Sequence, residues 1–224
     1  AWDLPKKMDF AGESVPLQIS DVRERLDREL LINVYWQSNG LLLIKRAHKF
    51  FPIIEPILAK YDVPNDFKYL ALIESGLQNV VSPSGAAGFW QFMKGTAKEY
   101  NLEMENTVDE RYHLEKATEA ACLYLKKAKE EMGSWTLAAA AYNAGKSGIR
   151  TQLNKQQVND YYDLHLNNET SRYVFRILAL KEIMKNPKKY GFIYKKSQLY
   201  DLEPVQYVTV DSTITNLANF AKLY

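Results

Sequence analysis

A mainly α-helical fold is predicted by three features of the 224-residue chain. Apolar residues recur at helical spacing over most of its length. Glycine and proline are sparse, at 10 and 8 residues. Only one stretch, 205–210, has the look of a strand, and it comes late. At 46% hydrophobic and 25% charged residues, the composition is that of a globular chain with a sizeable core. A net charge of +2 lends no support to a binder of nucleic acid or another polyanion. The single cysteine, Cys122, excludes an internal disulfide and a multi-cysteine zinc site. No apolar run is long enough to span a membrane. The chain opens Ala-Trp-Asp-Leu-Pro, without Met or a basic-then-apolar leader, as in a cytosolic protein or the mature form of an exported one. Fifteen tyrosines are an excess that composition alone does not explain.

From the N-terminus, residues 1–19 read as an extension, and 20–62 as two helices packing on the main domain. Ser20 is placed to cap the first, Asn39-Gly40 to break it, and Pro52 and Pro56 to interrupt the second. From Asn65 to about Leu77 a helix is apolar nearly all round, with Glu74 the exception. Residues 79–95 form a Ser-, Gly- and Pro-rich loop, and a short helix starts near Thr96. A clean amphipathic helix then covers 114–132 and closes at Gly133; Ser134 caps the next, which Gly145 ends. A further helix runs from about Thr170 to Lys185. Residues 63–195 are thus expected to form the main domain. Residues 196–224 form a strand–helix segment that resembles the start of a LysM-type module, with Asp211 or Ser212 as helix cap.

Several features carry other readings. Gly145-Lys146-Ser147 looks like the end of a phosphate-binding loop, but Ala140 stands where that motif needs glycine. His48, His113 and His165 are far apart and fit no ligand spacing. Cys122 sits mid-helix among apolar residues, as a small hydrophobe does. Asn168-Glu169-Thr170 is formally a glycosylation sequon but lies at a helix start, where capping is expected.

Glu74 differs in kind. A carboxyl near the end of a buried helix pays a desolvation cost that favours its neutral form, the condition a general acid needs. Ser82-Pro83-Ser84-Gly85-Ala86-Ala87-Gly88 comes after it, with small residues that let a ligand approach the backbone. Phe89-Trp90-Gln91-Phe92-Met93 then offers rings and an amide suited to a sugar, and Ala141-Tyr142-Asn143-Ala144-Gly145 exposes a Tyr-Asn pair at a helix end.

In this order, and with Glu169-Thr170 and Tyr173-Val174 beyond, these residues resemble the soluble lytic transglycosylases, enzymes with a lysozyme-like α-helical fold that cleave bacterial peptidoglycan. The similarity covers roughly 53–190. It is strongest to the membrane-bound D group of that family, on Val63-Pro64 leading into Tyr69-Leu70-Ala71-Leu72-Ile73-Glu74-Ser75 and on Phe89-Trp90. The resemblance implies that Glu74 is the single catalytic acid/base, with Ser75 beside it. Ser82, Gln91 and Met93 would line the glycan groove, Ser84 standing as an alternative to Ser82 because the Glu74–Ser82 stretch is one residue shorter than in many relatives. Tyr142 and Asn143 would orient the carboxyl and contact substrate. Glu169 would be an acidic groove position and Tyr173 a tyrosine near the acid.

Glycosidases commonly use two carboxylates about 5–9.5 Å apart. Only one is convincing here; Glu169, Asp160 and Asp163 have no spacing that places them across a bond. The family's chemistry needs only one, because the substrate supplies the nucleophile, and it needs neither metal nor organic cofactor. The implied product is a 1,6-anhydromuramoyl end, the implied partner a peptidoglycan strand, the implied location the periplasm or cell envelope, and the expected state a monomer. A goose-type-lysozyme-like hydrolase and a non-catalytic peptidoglycan-binding domain are the competing readings.

Overall fold

Small side chains set how closely the central helices approach. In the computed structural model, which describes residues 2–224, α5 (Leu114–Met132) packs against α6 (Trp135–Ala144); α5 buries Ala117, Ala120, Ala121 and Ala128, and α6, with Ala138, Ala139, Ala140 and Ala141 all buried, is enclosed on every side. The Tyr124 hydroxyl crosses this interface to donate to the Ala141 carbonyl at 2.9 Å. Cys122 is fully buried in α5, and burial pushes its thiol up to about 12. Around this pair lie α1 (Ser20–Tyr35), α2 (Gln37–Lys60), α3 (Lys68–Ser75), α4 (Lys94–Glu99), α7 (Lys146–Gln156) and α8 (Asn168–Lys185). A short α9 (Leu217–Ala221) ends the described chain. α8 is the hub, packing against α1, α3 and α6. The mainly α, lysozyme-like fold class is as the sequence predicts.

Local differences have local causes. The first break falls at Trp36, not at Asn39-Gly40, which lie inside α2. Gly40 is there because a Cβ would sit 2.6 Å from the Phe192 ring; its missing side chain admits a packed aromatic. Pro52 and Pro56 lie inside α2 without ending it. They are one turn apart and both exposed, so their rings lie on the solvent side of the helix and not in its packed face. Ile19 occupies the cap position of α1, with no side-chain bond from Ser20. Asn167 caps α8, its side chain accepting from Thr170 N at 2.9 Å, so Asn168 is already helical. Residues 205–210 form no strand, and Asn216 caps the helix after them in place of Asp211 or Ser212. Val205, Tyr207 and Leu217 in this segment are exposed.

The one two-stranded sheet among the described residues is not predicted by the sequence pattern. β1 (Asp9–Phe10) and β2 (Glu13–Ser14) pair antiparallel across Ala11-Gly12, both at positive φ, the geometry of a two-residue hairpin turn. This hairpin braces the core at two points. Lys181, only 3% exposed, donates to the Asp9 carbonyl at 2.6 Å and to Asp66 Oδ2 at 2.7 Å, and Asp66 Oδ2 also accepts from Ala11 N. The Glu13 carboxylate accepts from Trp135 N and Thr136 N, each at 2.8 Å, and from the Thr136 hydroxyl at 2.7 Å. Residue 13 thus serves as an anionic cap for the N-terminus of α6, 122 residues away in sequence. Glu13→Ala strands three donors. It should cost about 1–2 kcal/mol, lowering the thermal midpoint by about 2–4 °C per kcal/mol in a chain of this size. Differential scanning calorimetry checks this; an unchanged midpoint would mean that the cap contributes nothing.

Candidate active site

Three pieces of chain meet around Glu74. α3 is short because Gly76 turns left-handed (φ 61°) directly after Ser75, its N–H closing onto the Leu72 carbonyl at 2.9 Å. That stop leaves Glu74 in the last turn of a helix whose Tyr69, Leu70, Ala71 and Leu72 are buried. Ser75 is buried too; its hydroxyl donates to the Ala71 carbonyl and accepts from Leu77 N, each at 3.1 Å. Both bonds fasten the helix end, so the Ser75 hydroxyl is engaged by the backbone.

α8 brings the second piece. The Tyr173 hydroxyl donates to Glu74 Oε1. One turn earlier, Asn143 at the end of α6 bridges to α8: its amide donates to Glu169 Oε1 at 3.0 Å, and its carbonyl accepts from the Thr170 hydroxyl at 2.8 Å. Tyr142 stacks among Trp90, Phe92 and Tyr124, and its hydroxyl donates to the Trp90 carbonyl at 2.5 Å. Asp160 and Asp163 lie at an exposed turn, where Asp160 accepts from Tyr162 N.

The third piece is the loop 80–93. Its backbone folds on itself through Ser82 N to the Ala86 carbonyl, Gly88 N to the Val80 carbonyl and Ala87 N to the Phe92 carbonyl. Ser82 Oγ lies 3.0 Å from Ser84 Oγ and accepts from Ala86 N. The Gln91 amide donates to the carbonyls of Val80 and Gly88 at 2.9 and 2.8 Å. Met93 is exposed at the edge of a cleft of about 140 Å³ that Gln91, Thr96, Tyr124, Tyr142 and Gly145 also line. Phe89 and Trp90 are core: Trp90 is fully buried, with its indole N–H donating to the Thr118 hydroxyl at 2.8 Å. Their faces are closed to a sugar.

What shapes this loop is not legible in the sequence. Arg111, 4% exposed, reaches under it and donates from one Nη to the carbonyls of Gly85 (2.8 Å) and Phe92 (2.9 Å). Its other edge makes a two-point bond with Asp109, 3.0 Å from Nε and 2.8 Å from Nη2. Gly88 crosses directly above: a Cβ there would stand 1.9 Å from the Arg111 carbonyl, at a φ of 82°. Arg111 carries no local signal of this role, because the Gly85 and Phe92 carbonyls it holds lie 26 and 19 residues earlier.

The electrostatics single out Glu74. Burial holds its carboxyl above the usual carboxylate range; the Tyr173 hydroxyl and the Arg176 guanidinium oppose this, and Glu169 adds to it. Tyr142 and Tyr173 are held well above the ordinary phenol value, first by burial and then by the nearby Glu74 charge. Both remain protonated donors. Among the described residues no cluster of His, Cys, Asp or Glu could hold a metal ion, and no helix is long and apolar enough to cross a membrane.

A helix ending on a half-buried carboxyl with a raised pKa, a small-residue loop held by Arg111 and a Tyr-Asn pair at the end of α6 together make a candidate site for acid/base chemistry. The sequence model of the family described as "Transglycosylase SLT domain" matches residues 51–164, and the chain belongs to this family. Glu74, the loop and the Tyr142–Asn143 pair lie inside the match; Glu169 and Tyr173 lie beyond it. Among curated proteins it is similar to "Membrane-bound lytic murein transglycosylase D" of Escherichia coli (strain K12) and to the protein of the same name from Escherichia coli O6:H1. Each is 29% identical over 191 residues, covering 81% of this chain and 41% of the relative. The chain thus spans about two fifths of the length of these relatives.

The raised Glu74 pKa has a consequence for stability. Below the ordinary value of 4.5 the carboxyl is protonated folded or unfolded and carries no ionisation cost. As pH rises from there through the raised folded value, the unfolded chain ionises first, so the group withdraws stability over that window and the loss is complete above it. Glu74→Gln should therefore be more stable to urea than the parent at neutral pH, with the difference closing below pH 4.5. Equal midpoints at both pH values would show that burial imposes no such cost.

Proposed function

We infer that this chain is the catalytic part of a lytic transglycosylase that cleaves the bond between N-acetylmuramic acid and N-acetylglucosamine in peptidoglycan, with Glu74 as its single acid/base. The observation that carries this is the Glu74 carboxyl, its pKa raised by burial at the end of α3 and its Oε1 accepting from the Tyr173 hydroxyl. The family and the printed names of the relatives supply the substrate class.

The chemistry uses one carboxyl twice. Glu74, protonated, gives its proton to the glycosidic oxygen, and the muramoyl N-acetyl group assists departure of the leaving sugar. Glu74, now ionised, takes the proton of that muramoyl sugar's C6 hydroxyl, which closes on C1. Protons balance, no water is consumed, and the product carries a 1,6-anhydro end. The Tyr173 hydroxyl strengthens its bond when Glu74 is ionised, so it eases the exchange between the acid and base halves. Asn143, tied to Glu169 and Thr170, fixes the end of α6 beside the site. Ser82 or Ser84, Gln91 and Met93 present the loop side to the glycan. A second carboxylate is not required, and Glu169 is already engaged by Asn143. Because peptidoglycan lies outside the cytoplasmic membrane, the protein acts in the cell envelope after export.

Two measurements test this reading. Mass spectrometry of a peptidoglycan digest should find ends lighter by one water than hydrolysis gives, and none with Glu74→Gln. Reducing ends would mean a hydrolase, and wall clearance by Glu74→Gln at the parent's rate would remove Glu74 from the chemistry. Tyr173→Phe removes a bond that favours ionised Glu74 and so raises the Glu74 pKa further. The alkaline limb of the kcat/KM profile, set by loss of the acid's proton, should move to higher pH. kcat should fall by roughly 10- to 100-fold, as losing a bond to a charged group implies. A profile unmoved in pH would show that Tyr173 does not act on Glu74.

A further inference from the structure

A second polar cavity opens at the same end of α3. It has a volume of about 290 Å³ and lies between α1, α2, α3 and α8. Leu72, Ile73, Ser75 and Gly76 form its α3 wall, and Glu74 is not part of it. Two guanidiniums line it, Arg46 from α2 and Arg176 from α8, together with the side chains of Asn39 and Gln78.

These arginines are not used up by the fold. Arg25, Arg28, Arg111, Arg150 and Arg172 each pair with a carboxylate, whereas Arg46 and Arg176 form no ion pair among the described residues. Each has a single long bond of 3.4 Å to a backbone carbonyl, Arg46 to Gly76 and Arg176 to Ile73. Guanidinium has five N–H donors. A cap for the helix end engages one on each, and the others are left to a cavity lined by no carboxylate, although the Arg176 charge is also felt at Glu74. Two such forks in a polar recess suit a carboxylate.

We propose that the Arg46–Arg176 cavity binds a carboxylate of the peptide stem borne by the muramoyl sugar whose bond is cut. This rests on the transglycosylase reading, which places that sugar at Glu74. The reach is short. Glu74 is not among the residues that line the cavity, and the width of a helix with its side chains, about 10–12 Å, bounds the path around α3 from one to the other. An extended peptide covers about 3.3–3.6 Å per residue, so three or four stem residues pass around the helix end at Gly76 and arrive beside the guanidiniums. The left-handed turn there keeps the passage low, because Gly76 has no side chain. The glycan groove would then read the sugars and this recess would read whether a stem is attached.

The test uses the whole chain carrying Glu74→Gln, so that ligands stay intact, and isothermal titration with two ligands. One is a glycan oligomer with its stems; the other is the same oligomer stripped by an amidase. The stem-bearing oligomer should bind about tenfold tighter, the scale of one charge-assisted carboxylate bond. Adding Arg46→Gln should bring the ratio of the two affinities to about one, and Arg46→Lys should restore part of it; melting curves establish that both variants fold. A ratio of one before Arg46 is changed, or a preference that survives Arg46→Gln, overturns the proposal. Inorganic phosphate displacing the stem at comparable concentration overturns it too, by making the recess a general anion site. Failure of the underlying reading looks different: the unmutated chain would then leave even stripped glycan uncut or without anhydro ends, whatever the ratio.

Discussion

The bond from Tyr173 to Glu74 sets the tolerance for the rest of the molecule. It joins two helices 99 residues apart in sequence and is useful only if α3 and α8 hold their spacing. Much of the buried polar structure serves that end. Glu29, 2% exposed on α1, receives Arg172 of α8, and Arg25 donates to the Ser171 carbonyl. Lys181 of α8 reaches Asp66, just before α3. The Tyr190 hydroxyl donates to Glu182 near the other end of α8. Buried ion pairs are weak contributors to net stability against an apolar alternative but costly to break singly. They favour one alignment over a sliding one, and here the aligned helix carries the partner of the acid.

The loop that flanks Glu74 obeys a different logic. Its 82–88 stretch has only small side chains, and Arg111 holds it from below with contacts to the Gly85 and Phe92 carbonyls, while Phe89, Trp90 and Phe92 anchor its far end in the core. The result is a surface of backbone and hydroxyl groups standing on a buried charge. Hydroxyls such as those of Ser82 and Ser84 are suited to a sugar, which offers hydroxyl and acetamido groups in many directions and no net charge. A near-neutral chain can therefore have a polar binding face without a strong external field.

Much of this was legible in the residues. Periodicity found α5, and glycine and serine placed its end and the start of α6, because those signals are local. The unusual setting of Glu74 was legible because a lone carboxyl stands out in an otherwise apolar helix. The errors came where distance in sequence decides. Gly40 reads as a breaker until Phe192 is seen against it. Phe89-Trp90 reads equally as sugar platform or core until Thr118 is found accepting from the indole N–H. The hairpin at 9–14 is two residues per strand, too short for any alternation to register. Arg111, Glu13 and Arg46 each act on a distant segment, and nothing in their own neighbourhoods announces it.

The buried thiol of α5 has a practical consequence. Cys122 is the chain's only cysteine, is sealed from solvent and ionises only far above neutrality, so thiol reagents have nothing to attack in the native protein. A cysteine introduced at exposed Met93 would then be the one reactive handle on the molecule, at the lip of the cleft. A fluorophore attached there would report in real time whatever enters the cleft, with no native cysteine removed to make the labelling specific.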